Sequence, residues 1–217
     1  NNISRLFTNL STGNPYGIQV NNNVILPDTP RHYYYAFKIK KLVRDYANPS
    51  LMEIGSGFGG LSKFLMQNIS NLTCFNIDLL PACITQFYFL KKNGINVKIV
   101  TDNNKLQKGT VNLIPFEISE SILNEINSIN IVFNSRSFCE MDQATISYYF
   151  KYIKDLQPKI LYHENSNFLL FPNSERHIEV LASDLPVDKG LFHLESINIT
   201  PFNGGNGRYR EFLYTRV

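Results

Sequence analysis

Four glycines stand within six positions of the stretch SLMEIGSGFGGLSKFL. Gly55, Gly57 and Gly60 fit the pattern G-x-G-x-x-G, in which a turn between a strand and a helix brings backbone N–H groups close to a dinucleotide. Glu53 and Gly59 extend the stretch to a second pattern, in which an acidic residue precedes glycines at alternate positions. Both patterns predict a ligand-binding loop, and they differ in the charge of the ligand.

A second acidic residue helps to define this ligand. Asp78 ends the predicted strand TCFNID, 23 residues after Gly55, where a carboxylate can accept hydrogen bonds from both hydroxyls of a ribose. Glu53 is a poor neighbour for a pyrophosphate but suits a cation. S-adenosylmethionine carries a sulfonium and an ammonium group and no phosphate, so we favour it over NAD as the cofactor.

Ionisable side chains that follow the predicted fourth and fifth strands are candidates for acid–base chemistry. A hydroxyl group is a poor nucleophile and needs a base or a metal ion to take its proton. Ligands of open α/β sheets bind at the carboxyl ends of the strands. His163 is our first candidate for the base, because a neutral imidazole accepts a proton near pH 7, and Glu140 is the second. Oxygen ligands from Glu140, Asp142 or Glu164 leave a divalent ion as an alternative, but we predict no metal site.

The elements that must hold these residues follow from the periodicity of apolar side chains. Helices are expected over residues 31–47, after the glycine loop, from Pro81 to Lys92, and after Asp142 as the N-cap. Strands are expected at 51–54, 73–78, 97–101, 129–134 and 159–163, and in the C-terminal segments LFHLESINIT and YREFLYTRV.

Strands that alternate with helices at this spacing predict a parallel sheet covered on both faces. The expected fold is α/β, with a Rossmann-like, doubly wound, mostly parallel seven-stranded sheet and a C-terminal antiparallel hairpin. Residues 1–30 lack periodicity and are expected to form an irregular N-terminal arm, and residues 31–217 a single domain.

Two features argue against a dehydrogenase. A short-chain dehydrogenase needs a Tyr-x-x-x-Lys pair late in the domain, and the pairs Tyr34/Lys38 and Tyr88/Lys92 occur too early. A larger dehydrogenase needs a second domain, for which 217 residues leave no room. A terminal hairpin that closes a parallel sheet is instead typical of methyltransferases.

Composition narrows the partners and the compartment. The net charge is only +3 and the basic residues are scattered, so we expect no nucleic-acid partner. Cys74, Cys83 and Cys139 are odd in number and lack metal or redox spacing, which predicts reduced, buried thiols and a cytoplasmic location. No apolar run reaches the roughly 18 residues that a membrane span needs.

Four segments strengthen the methyltransferase interpretation: EIGSGFGGLSKFL, NIDLLPACITQFYFL, LIPFEIS and NSRSFCEM. From about Arg31 to the C-terminus, the chain resembles class I S-adenosylmethionine-dependent methyltransferases. More narrowly, these segments resemble a bacterial family described as sugar O-methyltransferases.

The resemblance implies a cofactor site. The residues implied around the methionine part are Glu53, Gly55, Ser56, Gly57, Phe58 and Gly59. Asp78 and Leu79 are implied for the ribose and adenine, and Asp102 or Phe116 for the edge of the adenine. Asn134 and Ser135 are implied beneath the methyl group.

The predicted function is therefore methylation, from S-adenosylmethionine, of a hydroxyl group on a sugar or glycan precursor. The alternatives are methylation of another small metabolite, an NAD-dependent oxidoreductase, and a non-catalytic subunit that binds the cofactor.

Overall fold

The computed structural model describes residues 16–20, 23–101, 106–168, 180–203 and 207–217. The predicted cofactor residue Asp102 lies outside the described residues. In chain order the elements are β1 (Ile18–Val20), β2 (Asn23–Ile25), α1 (Thr29–Leu42), β3 (Ser50–Ile54), α2 (Gly60–Asn68), β4 (Thr73–Asp78), α3 (Leu80–Lys92), β5 (Val97–Ile99), β6 (Val111–Pro115), α4 (Ser119–Leu123), β7 (Ile131–Ser135), α5 (Gln143–Leu156), β8 (Ile160–Ser166), β9 (Phe192–Ile199) and β10 (Tyr209–Arg216).

The chain forms two compact units. The first comprises Asn1–Pro49 and Ser56–Ile118, and the second comprises Ser50–Gly55 and Ser119–Val217. The interpretation of residues 31–217 as a single domain stays a prediction. Within the predicted N-terminal arm, β1 and β2 pair in antiparallel fashion, with Ile18 opposite Ile25.

The first unit contains three parallel strands in the order β5-β6-β4. Strand β6 was not among the seven predicted strands, and the main sheet has eight among the described residues. The segment VNLIP is short and carries a polar residue, Asn112, inside its apolar run, so its apolar pattern did not predict a strand. Pro115, the last residue of β6, also disfavours a strand in sequence-based prediction, because proline has no backbone N–H to donate.

The second unit contains five strands in the order β3-β7-β8-β10-β9. Strands β3, β7 and β8 are parallel, whereas β10 is antiparallel to both β8 and β9. The predicted mostly parallel α/β sheet and the antiparallel pairing of the last two strands are therefore present. Although β10 follows β9 along the chain, it lies between β8 and β9.

Helices α3 and α5 begin where local signals place them, whereas α4 was not predicted and α1 differs from the prediction in its bounds. Asp142 precedes α5, and its Oδ1 accepts a hydrogen bond from the backbone N–H of Thr145 at 2.7 Å, which confirms the predicted N-cap. Helix α3 has Pro81 in its first turn. Helix α1 starts at Thr29 and ends at Leu42 rather than at residue 47, because the next residues form a turn in which the Tyr46 N–H bonds the Val43 carbonyl.

The three cysteines are free and buried, as expected for thiols that act as small apolar side chains. Burial raises the pKa of the Cys83 thiol to about 12 and also raises the pKa of Cys139. In the described part of the chain, none of the helices has the length and apolarity needed to cross a membrane.

Candidate active site

The glycine loop joins β3 to α2, as predicted, and its backbone conformation requires glycine. Gly57 has a φ of +58°, and a Cβ at this position would meet nothing within 4 Å. Gly55 has a φ of +70°, and a Cβ there would lie 2.1 Å from Ser137 Oγ. A side chain at either residue would therefore be strained, but only at Gly57 is there open space beside the backbone.

Asp78 connects the end of β4 to this loop. Its Oδ2 accepts a hydrogen bond from the Gly57 N–H at 2.8 Å, and its Oδ1 accepts one from the Leu79 N–H at 2.8 Å. Partial burial raises the pKa of the Asp78 carboxyl, and the hydrogen bonds from Gly57 and Leu79 act in the opposite direction. Leu79 beside it is 59% exposed, so an apolar side chain adjoins the carboxylate at the surface.

Two aromatic rings support the glycine loop from helices α1 and α3. The Phe58 ring makes edge contacts with His32 at 5.5 Å and with Phe89 at 5.0 Å between centroids. A Cβ at Gly60 would lie 2.3 Å from the His32 Nδ1, so the imidazole occupies the space that a side chain would need. This glycine therefore serves close packing.

In the second unit, Asn134 ties the end of β7 to its neighbours. Its Nδ2 donates to the Ile54 carbonyl at 2.8 Å and also contacts Ser137 Oγ. Its Oδ1 accepts from Asn165 Nδ2 at 2.8 Å and from the Phe138 N–H at 3.3 Å. Asn134 is fully buried and orders the turn after β7. Glu53 is buried in β3, opposite Phe133 in the register.

Ser135 is held by a buried carboxylate. Its Oγ donates to Glu164 Oε2 at 2.6 Å, and Arg136 Nη2 donates to Glu164 Oε1 at 3.2 Å. The side chain of Glu164 is inaccessible to solvent. Arg136 also donates to the Phe202 carbonyl at 2.9 Å and covers the Tyr209 ring at 4.3 Å. Its φ of +64° is unusual for a residue with a side chain.

His163 differs from the prediction in its place on the strand. The expected strand ended at His163, but β8 continues to Ser166, so this residue lies in the middle of a strand between β7 and β10. Its ring stacks on Phe212 at 4.9 Å, and burial lowers the pKa of the imidazole to about 3. Nε2 has no hydrogen-bond partner in the described part of the chain. Its role as a base stays a prediction, and this burial lends it no support.

The remaining predicted residues lie in turns that follow strands. Glu140 ends the turn Phe138–Glu140 after β7 and is exposed. Phe116 begins the turn Phe116–Ile118 directly after β6 and is partly buried. Within the described residues, no group of three or more His, Cys, Asp or Glu side chains could hold a metal ion.

Solved structures with similar folds are methyltransferases in several cases. The methyltransferase domain of bacterial CtHen1-C has a TM-score of 0.58 at 9% identity, over 84% of this chain and 97% of that chain. Mitomycin 7-O-methyltransferase MmcR has a TM-score of 0.54 at 12% identity, over 86% of this chain and 54% of that chain. The present chain thus spans about half the length of the mitomycin enzyme. MtNAS in complex with MTA and tNA has a TM-score of 0.54 at 12% identity, over 88% of this chain and 61% of that chain.

The chain has a methyltransferase fold. No protein-family model and no curated protein sequence matches it, so the similarity rests on structure, and at these identities it concerns the fold.

Two residues that are not among the predicted site residues lie beside them in the structure. His32 packs against Phe58 in the glycine loop, and this contact follows from the placement of α1, which the sequence does not specify. Arg136 stands in the segment NSRSFCEM, and nothing in that segment indicates its positive φ. Both are found only when distant parts of each unit are brought together.

Proposed function

We propose that this chain is an S-adenosylmethionine-dependent methyltransferase. The observation that carries the proposal is the hydrogen bond between Asp78 and the Gly57 N–H, which joins the acidic end of β4 to the glycine loop. A carboxylate at this place can accept hydrogen bonds from ribose hydroxyls, and the open space at Gly57 admits a ligand to the backbone. The fold similarity to methyltransferases supports the same conclusion.

The proposed cofactor contacts of the first unit surround Asp78. Ribose hydroxyls would donate to the carboxylate, and adenine would pack on Leu79, whose exposed side chain offers apolar surface. Phe116 follows the strand next to β4 and is proposed for the adenine edge. The other proposed cofactor residues are Glu53, Gly55, Ser56, Phe58, Gly59, Asn134 and Ser135.

When bound, S-adenosylmethionine supplies a methyl group on a sulfonium leaving group. The residues of the chain then have to position the acceptor and take up its proton. Of the two candidate bases, Glu140 is exposed and His163 is fully buried, so Glu140 is the better placed to meet an acceptor. We therefore propose Glu140 as the first base to test.

The proposed acceptor is a hydroxyl group of a sugar or glycan precursor, and a cytoplasmic location is proposed with it. The acceptor rests on the resemblance of EIGSGFGGLSKFL and NSRSFCEM to bacterial sugar O-methyltransferases. The location rests on the three buried, free cysteines, which suit a reducing compartment. Another small metabolite as acceptor would leave the cofactor site unchanged.

Calorimetric titration tests the proposal. Wild-type protein is titrated with S-adenosylhomocysteine and, separately, with NAD, and we expect binding of the first alone. Asp78→Ala removes a charged hydrogen-bond acceptor, which contributes about 1.5–3 kcal/mol, so affinity for S-adenosylhomocysteine should fall roughly ten- to a hundred-fold.

Asp155→Ala is the matched control, because Asp155 is an exposed carboxylate on α5. It should bind like wild type. Binding of NAD without S-adenosylhomocysteine would instead make the chain a nucleotide-dependent oxidoreductase. Full affinity in a folded Asp78→Ala protein would remove Asp78 from the cofactor site.

A further inference from the structure

A chain of buried side-chain hydrogen bonds reaches the glycine loop from within the first unit. Gln86, in the middle of α3, donates from Nε2 to Ser56 Oγ at 2.7 Å. Its Oε1 accepts from Asn76 Nδ2 at 3.1 Å, and the same Nδ2 donates to Ser62 Oγ at 2.7 Å. These hydrogen bonds thus connect β4, α2 and α3 to Ser56 in the glycine loop.

These polar groups are unusually well removed from water. Asn76, Ser62 and Gln86 have 0% exposure, and Ser56 has 7%. Asn76 Oδ1 has no hydrogen-bond partner in the part of the chain that the structure describes, and an unsatisfied buried acceptor is unfavourable for folding. Apolar side chains of similar shape would fill this space without that cost. Stability alone therefore does not account for the network.

Helix α3 touches the glycine loop at a second point. A Cβ at Gly59 would lie 3.2 Å from Leu90 Cγ and 3.4 Å from Gln86 Cγ. The Gly59 N–H also bonds the Ser56 carbonyl at 3.1 Å and closes the turn. Gln86 therefore holds Ser56 by its amide and borders Gly59 with its stem.

The segment that precedes α3 completes the arrangement. Asp78, two residues before the start of α3 at Leu80, accepts the Gly57 N–H. The loop is thus held at three residues, Ser56 and Gly57 by side-chain hydrogen bonds and Gly59 by the packing of α3 beside it. A loop that is already ordered costs a ligand less conformational entropy on binding.

We infer that Gln86 is a positioning residue for the glycine loop, which it holds through Ser56 in the conformation that receives the ligand. Gln86 makes no contact with the ligand in this role, and Asn76 orients its amide. The nature of the ligand rests on the proposed function, whereas the ordering of the loop by Gln86 does not.

Gln86→Met tests the inference, because methionine has nearly the same length and volume but cannot form either hydrogen bond. Without ligand, hydrogen exchange of the backbone amides of residues 56–60 should become about three- to ten-fold faster, while the amides of β4 keep their protection. Affinity for S-adenosylhomocysteine should fall by a similar factor. Thr85→Ala is the matched control: Thr85 is exposed on the same helix, and its hydroxyl donates to the Pro81 carbonyl within that helix.

Ser56→Ala removes the other end of the hydrogen bond and keeps the test possible if Gln86→Met fails to fold. Without ligand, both single variants and the double variant should speed the exchange of the loop amides to a similar extent, because each loses the same hydrogen bond. Unchanged loop exchange in both single variants would overturn the inference, and so would faster exchange with unchanged affinity. If wild type does not bind S-adenosylhomocysteine, the proposed function fails, and the exchange measurement still decides the role of Gln86.

Discussion

Two ionisable residues, Asp78 and His163, have surroundings that separate their roles. Asp78 ends its strand, is partly buried, and accepts hydrogen bonds from backbone N–H groups at both carboxylate oxygens, which order the loop. His163 lies inside a strand with its ring against Phe212. Both have pKa values shifted against the charged form by burial, but only Asp78 has hydrogen bonds that favour its charged form.

The burial of His163 predicts a pH-dependent stability. Its folded-state pKa is lowered to about 3, whereas the unfolded imidazole titrates near 6.5, so below that pH the unfolded state binds the extra proton. The contribution of His163 is complete above pH 6.5 and is lost as the pH falls towards 3, by up to about 1.4 kcal/mol per pH unit. In His163→Phe, which keeps a flat ring but does not titrate, this part of the slope should vanish.

Urea unfolding of wild type and His163→Phe between pH 4.5 and 7.5 gives the comparison, since other groups titrate equally in both. Identical slopes would show that His163 is not protonated on unfolding in this range. The same variant tests catalysis: loss of turnover by about 10²–10⁴-fold with unchanged cofactor affinity would assign the proton transfer to His163. Retained turnover leaves Glu140 as the candidate.

At the scale of single elements, local side-chain chemistry decides the boundaries. Asp142 was a candidate for chemistry at the end of β7, and it instead caps α5 through the Thr145 N–H. The hydrogen bond from Thr145 is the first cause of the lowered pKa of the Asp142 carboxyl. The Asp142 carboxylate is therefore engaged in capping α5.

Replacement of the cap should therefore affect stability and leave function alone. We expect Asp142→Ala to lower the melting temperature by roughly 2–4 °C, because the first turn of α5 loses an acceptor. Asp142→Asn keeps an oxygen at the same place and should melt close to wild type. The measurement is thermal unfolding followed by circular dichroism, with the affinity for S-adenosylhomocysteine as the second readout. A loss of affinity in the alanine variant would return Asp142 to the list of functional residues.

At the scale of the whole molecule, the charge balance predicts the type of acceptor. A net charge of +3 comes from 21 basic and 18 acidic residues, which offers little of the phosphate neutralisation that nucleic-acid binding needs. We expect weak binding of a labelled RNA or DNA duplex at 50 mM salt and none at 200 mM, measured by fluorescence anisotropy. Binding that persists at 200 mM salt would contradict the small-molecule acceptor and favour a nucleic acid as the acceptor.

The features that the sequence determined by itself are those whose causes lie within a few residues. Glycines between an apolar strand and an apolar helix leave few backbone conformations, and the loop at Gly57 follows from them. The cap at Asp142, Pro81 in the first turn of α3, and Asp78 at the end of β4 are likewise local. For these features the predicted positions agree with the structure.

Only the tertiary structure decided the features that depend on which segments meet. Strand β6 carries the polar Asn112, whose amide bonds the carbonyls of Cys74 and Gln107 only once these segments meet. The surroundings of His163 depend on β10, which pairs with β8. Phe212 of β10 lies opposite His163 and is 49 positions later in the chain. Gln86 reads as an ordinary helix residue until α3 packs against the glycine loop 30 residues earlier. Contacts over such separations are selected by the packing of the whole unit, so no local pattern in the sequence specifies them.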